Sequence, residues 1–383
     1  MKSLYFNEDH ELFRESVVEY VNKKKPFFDQ WEEERQVPKS VWKEMGDMGF
    51  LGLMYDEKYG GSNVDFFYSV ILMEEMAKAG NAGLLGGFSV HSYMATNHIN
   101  NIGSEELKQK YLVPSIAGDI LGAIAFTEPN AGSDVQGITT FAKKEGDHYI
   151  INGSKTYITS GCSADYFLTL CKTEAGFDII VIDGAAPGIT RNKLNKIGLH
   201  SSDTAEIFFQ DVKIPLTNRV GNEGMGFYYV MESFQLERLC CAIMAIGAMD
   251  TIIAETLEFM KNRKAFGRPI AYFQVLRHRL ADYCTELECI RSLTYETCWR
   301  FMNGEYVIKQ ASMCKLKATE LQNQVVAGCL QMHGGAGYME DYPIARYFRD
   351  ARVGTIYGGS SEIMREIIAK VVVDEVQFGK VYK

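Results

Sequence analysis

Apolar positions follow three different rhythms along this chain. From residue 9 to about 120 they recur at helical spacing, with Leu12, Phe13, Val17, Tyr20 and Val21 on one face. Val41, Met45, Met48 and Phe50 predict a second helix, closed by Gly49 and Gly52. Residues 67–79 and 91–102 read as two more, the latter stopping at Gly103. Between residues 125 and 215 the period drops to that of a strand. Tyr149-Ile150-Ile151 and Tyr157-Ile158 are expected to be the arms of a hairpin turning at Asn152-Gly153. Segments 167–171, 177–182 and 205–209 are rich in β-branched and aromatic residues and predict further strands. From about residue 225 long helical patterns return, over 231–261, 273–302, 309–332 and 362–373. Helices, then strands, then helices predict an α+β chain. The absence of βαβ alternation argues against a Rossmann core.

Composition narrows the function classes. The chain has 383 residues, 46% hydrophobic and 23% charged, which is globular and long enough for one large core or about two to three packed subdomains. A net charge of −9 turns it away from nucleic acid and anionic membranes, but leaves room for an anionic small ligand on a local basic patch. The longest uncharged apolar stretch, residues 239–249, is too short to span a bilayer, so no membrane insertion is expected. The opening MKSLYFNEDHELFR has neither the apolar run of a signal peptide nor the basic character of a transit peptide. Nine cysteines show no CxxC pair, and no HExxH is present. No metal site is expected, and reduced core thiols predict a cytoplasmic location.

Residues 126–135, FTEPNAGSDV, place turn formers and carboxylates between two apolar runs, as a structured loop at the mouth of a site would. An ordinary polar turn has the same composition. Two later segments run from helix-like sequence into glycines: 331–338, QMHGGAGY, and 356–363, IYGGSSEI. In this order and spacing the three resemble the acyl-CoA dehydrogenase family of FAD enzymes, over nearly the whole chain and most closely its long-chain members. The resemblance implies an N-terminal helical domain (1–122), a middle β-barrel or sandwich domain (123–226) and a C-terminal four-helix bundle (227–383). Other motifs fail on their own terms. Gly153-Ser154-Lys155-Thr156 lacks the P-loop glycine before lysine, and Asp165 replaces the closing glycine of a nucleophile elbow at Gly161.

A flavin needs hydrogen bonds along its pyrimidine edge, and its diphosphate needs N–H groups or cations. By resemblance, Phe126, Thr127 and Ser133, with Tyr157, Ile158 and Thr159, line the isoalloxazine, Tyr157 standing where many members have Trp. Arg263, Phe266 and Gln274, with Gln331, Met332, His333, Gly334 and Gly335, match the group that a neighbouring subunit supplies to the dinucleotide. Ser360, Ser361 and Glu362 also match cofactor positions, Ser360 in place of the usual Thr.

Oxidising a saturated acyl thioester to its 2-enoyl product requires a base for the α-proton. In many relatives that carboxylate directly follows the Tyr of the C-terminal motif, and here the position is Gly358. The long-chain and isovaleryl branches carry the base on the helix opening the last bundle, and Glu237 falls on that position. Its neighbours Phe234, Leu236 and Leu239 are apolar, which favours a raised pKa. An exposed Glu-Arg pair is the structural alternative. Gly358 is expected to keep a backbone N–H for the thioester oxygen. Ser133, Tyr228, Arg238 and Gly359 match substrate contacts, Arg238 with the CoA moiety. The connection near 174–177 is shorter than in long-chain enzymes, which puts any substrate contact there in question.

The resemblance implies an FAD-dependent dehydrogenase of medium or long straight-chain acyl-CoA, passing electrons to electron-transfer flavoprotein and assembled as a homotetramer, a dimer of dimers. Alternatives are an isovaleryl-like branched-chain enzyme, an acyl-CoA oxidase, and a non-catalytic acyl-CoA- or flavin-binding subunit. Segment 86–92, GGFSVHS, favours the long-chain branch.

Overall fold

The computed structural model describes residues 4–379. Its first part is helical: α1 (Glu8–Lys24), α2 (Phe28–Glu34), α3 (Lys39–Asp47), α4 (Phe66–Lys78), α5 (Ala82–Ser89), α6 (Thr96–Ile102), α7 (Glu105–Leu107) and α8 (Val113–Ile116). The spacing read at residues 12–21 becomes α1, with Val17, Tyr20 and Val21 buried. The helix expected to run to Phe50 stops at Asp47, because Gly49 at φ 75° turns the chain and delivers Phe50 to the core from a short 3-10 turn. A π-helical stretch, Val90–Ala95, joins α5 to α6, so the helix expected at 91–102 already begins at Ala82.

The strands are β1 (Gly122–Ala125), β2 (Phe141–Glu145), β3 (His148–Thr159), β4 (Tyr166–Thr173), β5 (Gly176–Asp183), β6 (Ile189–Lys193), β7 (Thr204–Pro215) and β8 (Arg219–Val220). Their order is β6-β7-β3-β2-β4-β5-β8, with β1 parallel beside β4. One residue pair, Phe141 with Lys172, joins β2 to β4, and the two halves close over a shared core there. Ala142, Tyr149, Ile151 and Phe209 meet Phe167, Ile180 and Ile182 in that core. The opposite face of β4 and β5 packs Leu168, Leu170, Ile179 and Val181 against the N-terminal helices. Burial on both sides explains why these two strands read as unbroken apolar runs.

The predicted hairpin at Asn152-Gly153 is wrong. β3 passes through these residues with a register shift against β7, and the turn closes instead at Gly146-Asp147, where Gly146 has φ 60°. A Cβ on Gly153 would lie 2.6 Å from the Cα of Thr140, so this glycine serves a close backbone approach inside a bulged strand.

After the sheet come α9 (Gly226–Asn262), a two-stranded ribbon of β9 (Lys264–Ala265) and β10 (Arg268–Pro269), then α10 (Gln274–Met302), α11 (Ile308–His333), α12 (Pro343–Ala351) and α13 (Ser361–Val372). α9 is apolar and long enough to cross a membrane by length and composition, yet 67% of its most apolar window is buried within the protein. Its side chains serve several cores: Tyr229 and Val230 join the sheet, Leu236 and Ile243 the N-terminal helices, Ile246 and Met249 the bundle. Residue 237 therefore sits where all three regions meet.

Candidate active site

Glu237 is 3% exposed, among Leu236, Leu239, Cys240 and Cys241. Its Oε1 accepts a hydrogen bond from the Ser233 hydroxyl at 3.0 Å, one turn earlier on α9. Burial pushes its carboxyl up to about 7, against the lowering influence of Ser233 and of the Arg238 charge. Cys241, one turn further on, is also buried, and burial raises its thiol to about 11, so it stays protonated. The Cys241 Sγ lies 3.0 Å from where a Cβ on Gly358 would stand. Glu237 and Gly358 thus border the same region, one from the helix and one from the loop ahead of α13. Gly358 and Gly359 both adopt left-handed backbone, φ 61° and 91°, a conformation that any other residue would adopt under strain.

The exposed Glu-Arg pair weighed as an alternative is not what forms, since both residues are buried. Arg238 points into the bundle: its guanidinium sits 5.2 Å from the centre of the Phe234 ring and donates to Ser312 Oγ at 3.4 Å. Tyr228 is half-exposed in the first turn of α9, and Ser133 is exposed in the 126–135 loop.

Phe126 and Thr127 leave the end of β1. The Thr156 N–H donates to the Thr127 carbonyl at 2.9 Å, which lays the first loop alongside Tyr157, Ile158 and Thr159 on β3. At the second irregularity of β3, between Lys155 and Ile158, Tyr157 takes φ 59° and presents its ring to solvent at 69% exposure, while Ile158 is buried. An aromatic ring displayed on left-handed backbone is a feature that strands retain for a ligand or partner.

Beneath this loop lies an ion pair that sequence reasoning missed. Glu128 accepts from the N–H groups of Thr139 and Thr140 and from the Thr139 hydroxyl, and Lys155 Nζ reaches it at 2.8 Å. The same ammonium donates to the Phe126 carbonyl at 3.0 Å. Lys155, considered above only as a failed P-loop lysine, is a buried tether. Nothing in the sequence marks it, since Lys155 stands between Ser154 and Thr156 in a strand of mixed polarity.

The second group occupies other elements. Arg263 caps α9 and is exposed, as is Gln274 at the start of α10. Phe266 is 95% exposed at φ 51°. Gln331 is exposed, but Met332 is buried beside Met260 and Leu280. The His333 ring stacks on Phe259 at 4.2 Å and its Nδ1 pairs with the Cys329 carbonyl. The side chains of Met332 and His333 are therefore engaged within the bundle. Gly334 and Gly335 face open space where a Cβ would be. Ser360 caps α13 by accepting from the Ile363 N–H, Glu362 is exposed in its first turn, and among the described residues the buried Ser361 Oγ has no partner. An orphaned hydroxyl, two open glycines and two displayed rings fit a large ligand with aromatic and phosphate parts. FAD matches that description. Among the described residues no cluster of metal-ligating side chains occurs.

Comparison with known proteins identifies the family. The families described as acyl-CoA dehydrogenase N-terminal, middle and C-terminal domains match residues 7–119, 123–212 and 224–373. The chain is 40% identical to a mitochondrial long-chain specific acyl-CoA dehydrogenase of Sus scrofa, across 97% of this chain and 88% of that one. It is 35% identical to a mitochondrial isovaleryl-CoA dehydrogenase of Pongo abelii, across 87% and 80% respectively. A crystal structure of an acyl-CoA dehydrogenase from Geobacillus kaustophilus superposes with a TM-score of 0.95 at 42% identity, covering 97% of this chain and 100% of that one. The α–β–α architecture expected above is the architecture of these relatives, and this chain belongs to the acyl-CoA dehydrogenase family of FAD-dependent oxidoreductases.

Proposed function

We propose that the chain dehydrogenates a medium- or long-chain saturated acyl-CoA to its trans-2-enoyl-CoA, with Glu237 as the base. One observation carries the reading: a buried carboxyl with a pKa of about 7, one helical turn before Cys241, the residue packed against Gly358. Half-ionised at neutral pH, Glu237 is basic enough to take an α-proton and is shielded from water. The Gly358 N–H is assigned to the thioester oxygen, where negative charge grows as the proton leaves. When bound, the flavin supplies the acceptor for the hydride leaving the β-carbon. Thr127, Tyr157 and Thr159 are assigned to its ring, and Gly334, Gly335 and Ser361 to the rest of the dinucleotide. The Arg238 guanidinium, turned inward, supports Glu237 electrostatically more readily than it reaches a CoA phosphate.

The chain-length reading draws support from a cavity lined by Leu85, Gly86, Met244, Ala245, Ala248 and Tyr357, among others. Met244 and Ala248 share the face of α9 that carries Glu237. At ~1.5 Å per residue these two positions lie roughly 10 to 16 Å along α9 from the base. A short branched acyl group ends well before that depth, which supports a longer straight chain. Likeness to the isovaleryl enzyme keeps the branched reading as runner-up.

Phe266, Tyr338 and Tyr157, at 95%, 83% and 69% exposure, support assembly with further copies, in which a neighbour completes each dinucleotide site. Electron-transfer flavoprotein is the proposed acceptor. Nine free thiols agree with a reducing, cytoplasmic compartment.

The test is an anaerobic titration of the flavoprotein with straight-chain acyl-CoAs of rising length and with isovaleryl-CoA, following the flavin band. Faster bleaching by longer straight chains is expected. Preference for isovaleryl-CoA would install the branched reading. No bleaching by any thioester would leave a binding subunit, and steady peroxide release without a carrier would identify an oxidase.

A further inference from the structure

α11 carries a lysine, Lys315, that is wholly buried. A buried ammonium costs several kcal/mol unless it meets a compensating group. Lys315 Nζ donates not to a carboxylate but to the main-chain carbonyl of Gly359, at 2.5 Å. That carbonyl belongs to the paired left-handed glycines whose conformation sets the direction of the Gly358 N–H. The charged or titratable groups that bear on Lys315 are Cys241, Arg238, Glu320 and Glu362. Cys241 is the residue packed against Gly358. Glu320 pairs with Arg365 at 2.8 Å and Glu362 is exposed, so neither neutralises the ammonium closely. The net effect of burial is to lower the Lys315 pKa, which shows how little local compensation it has.

A cation held without a close carboxylate favours negative charge that arrives nearby. We propose that Lys315 is a positioning residue for the dehydrogenation: it pins the Gly358-Gly359 turn through the Gly359 carbonyl and holds positive potential behind the Gly358 N–H. The thioester oxygen gains charge when Glu237 removes the α-proton. Lys315 then favours that enolate-like state over the neutral ground state, without touching the substrate. This inference rests on the reaction proposed above.

The test uses a ligand that stops at the enolate. A 3-oxoacyl-CoA has an acidic α-carbon, and its enolate absorbs in the near ultraviolet, so the holoenzyme can be titrated with it across pH. The apparent pKa of the bound ligand is expected to rise by at least ~1 unit, tenfold in enolate stabilisation, in Lys315→Met. Lys315→Arg should recover part of that shift, while flavin content and affinity for a saturated acyl-CoA change less than about twofold in both. An unshifted ligand pKa in Lys315→Met would overturn the proposal, as would equal losses of enolate stabilisation and saturated-ligand affinity. If the Met variant does not fold, Lys315→Gln, which keeps a donor without the charge, must show the same shift or the electrostatic role fails. If the unaltered protein does not hold the ligand as enolate, the dehydrogenase reading falls instead.

Discussion

Two glutamates of this molecule are buried to the same degree and titrate at opposite ends of the carboxyl range. Glu128 under the 126–135 loop is 4% exposed, and Glu237 on α9 is 3% exposed. Burial pushes both upward. At Glu128 the Lys155 charge and hydrogen bond, with donors from Thr140 and Thr139, outweigh it and bring the pKa down to about 2. At Glu237 one hydroxyl and one neighbouring guanidinium do not, and the pKa stands at about 7. Desolvation alone therefore does not make a base. The number and charge of the donors decide whether a buried carboxylate braces a loop or exchanges a proton.

Removing the weakly solvated carboxylate should produce the largest effect. Glu237→Gln is expected to slow flavin reduction by ~10² to 10⁴ with flavin still bound, read by anaerobic stopped flow. Breaking the braced one should strike stability instead. Lys155→Met leaves Glu128 buried without its cation and should cost about 3–5 kcal/mol in denaturant unfolding, and Glu128→Gln in the same chain should return part of it.

The pH dependence of the two sites should run in opposite directions. The Glu237 pKa is raised from 4.5 to about 7, so its contribution to stability is intact below 4.5 and is lost as pH rises through 7. At pH 8 Glu237→Gln should thus be more stable than the unaltered ligand-free protein by up to ~3 kcal/mol. Asp350, raised by burial to about 7, titrates in the same window but is common to both proteins. The Glu128 pKa is lowered, so its contribution is present above 4.5 and fades as pH falls toward 2. Reduction rates should climb with pH through about 7, as a base must be ionised. The smallest effect is reserved for Ser233→Ala. Losing a hydrogen bond that lowers the Glu237 pKa should move the midpoint of that climb upward, by less than about one unit.

Much of this layout was legible in the residues. The change from helical to alternating spacing and back located the sheet, because α1, α10 and α11 each bury positions at helical spacing. Asn152-Gly153 misled because a strong local turn signal lost to pairing along the whole of β7, and the β2–β3 turn formed at Gly146-Asp147 instead. The complementarity of Glu237 and Gly358 was visible only through family resemblance, since spacing says nothing about residues so distant in the chain. Glu128, Lys155, Ser233 and Lys315 were not legible. A charged residue sealed inside a fold looks, in sequence, like one on its surface, and only the tertiary partners distinguish them.

α9 passes through the territory of every layer, lending side chains to the helical cap, the sheet and the bundle in turn. Three regions that share one rod cannot melt apart without stripping it, so the chain should denature as a single cooperative unit. The same sharing means that a fragment severed ahead of Gly226 would expose apolar flanks on both pieces and would be prone to aggregate.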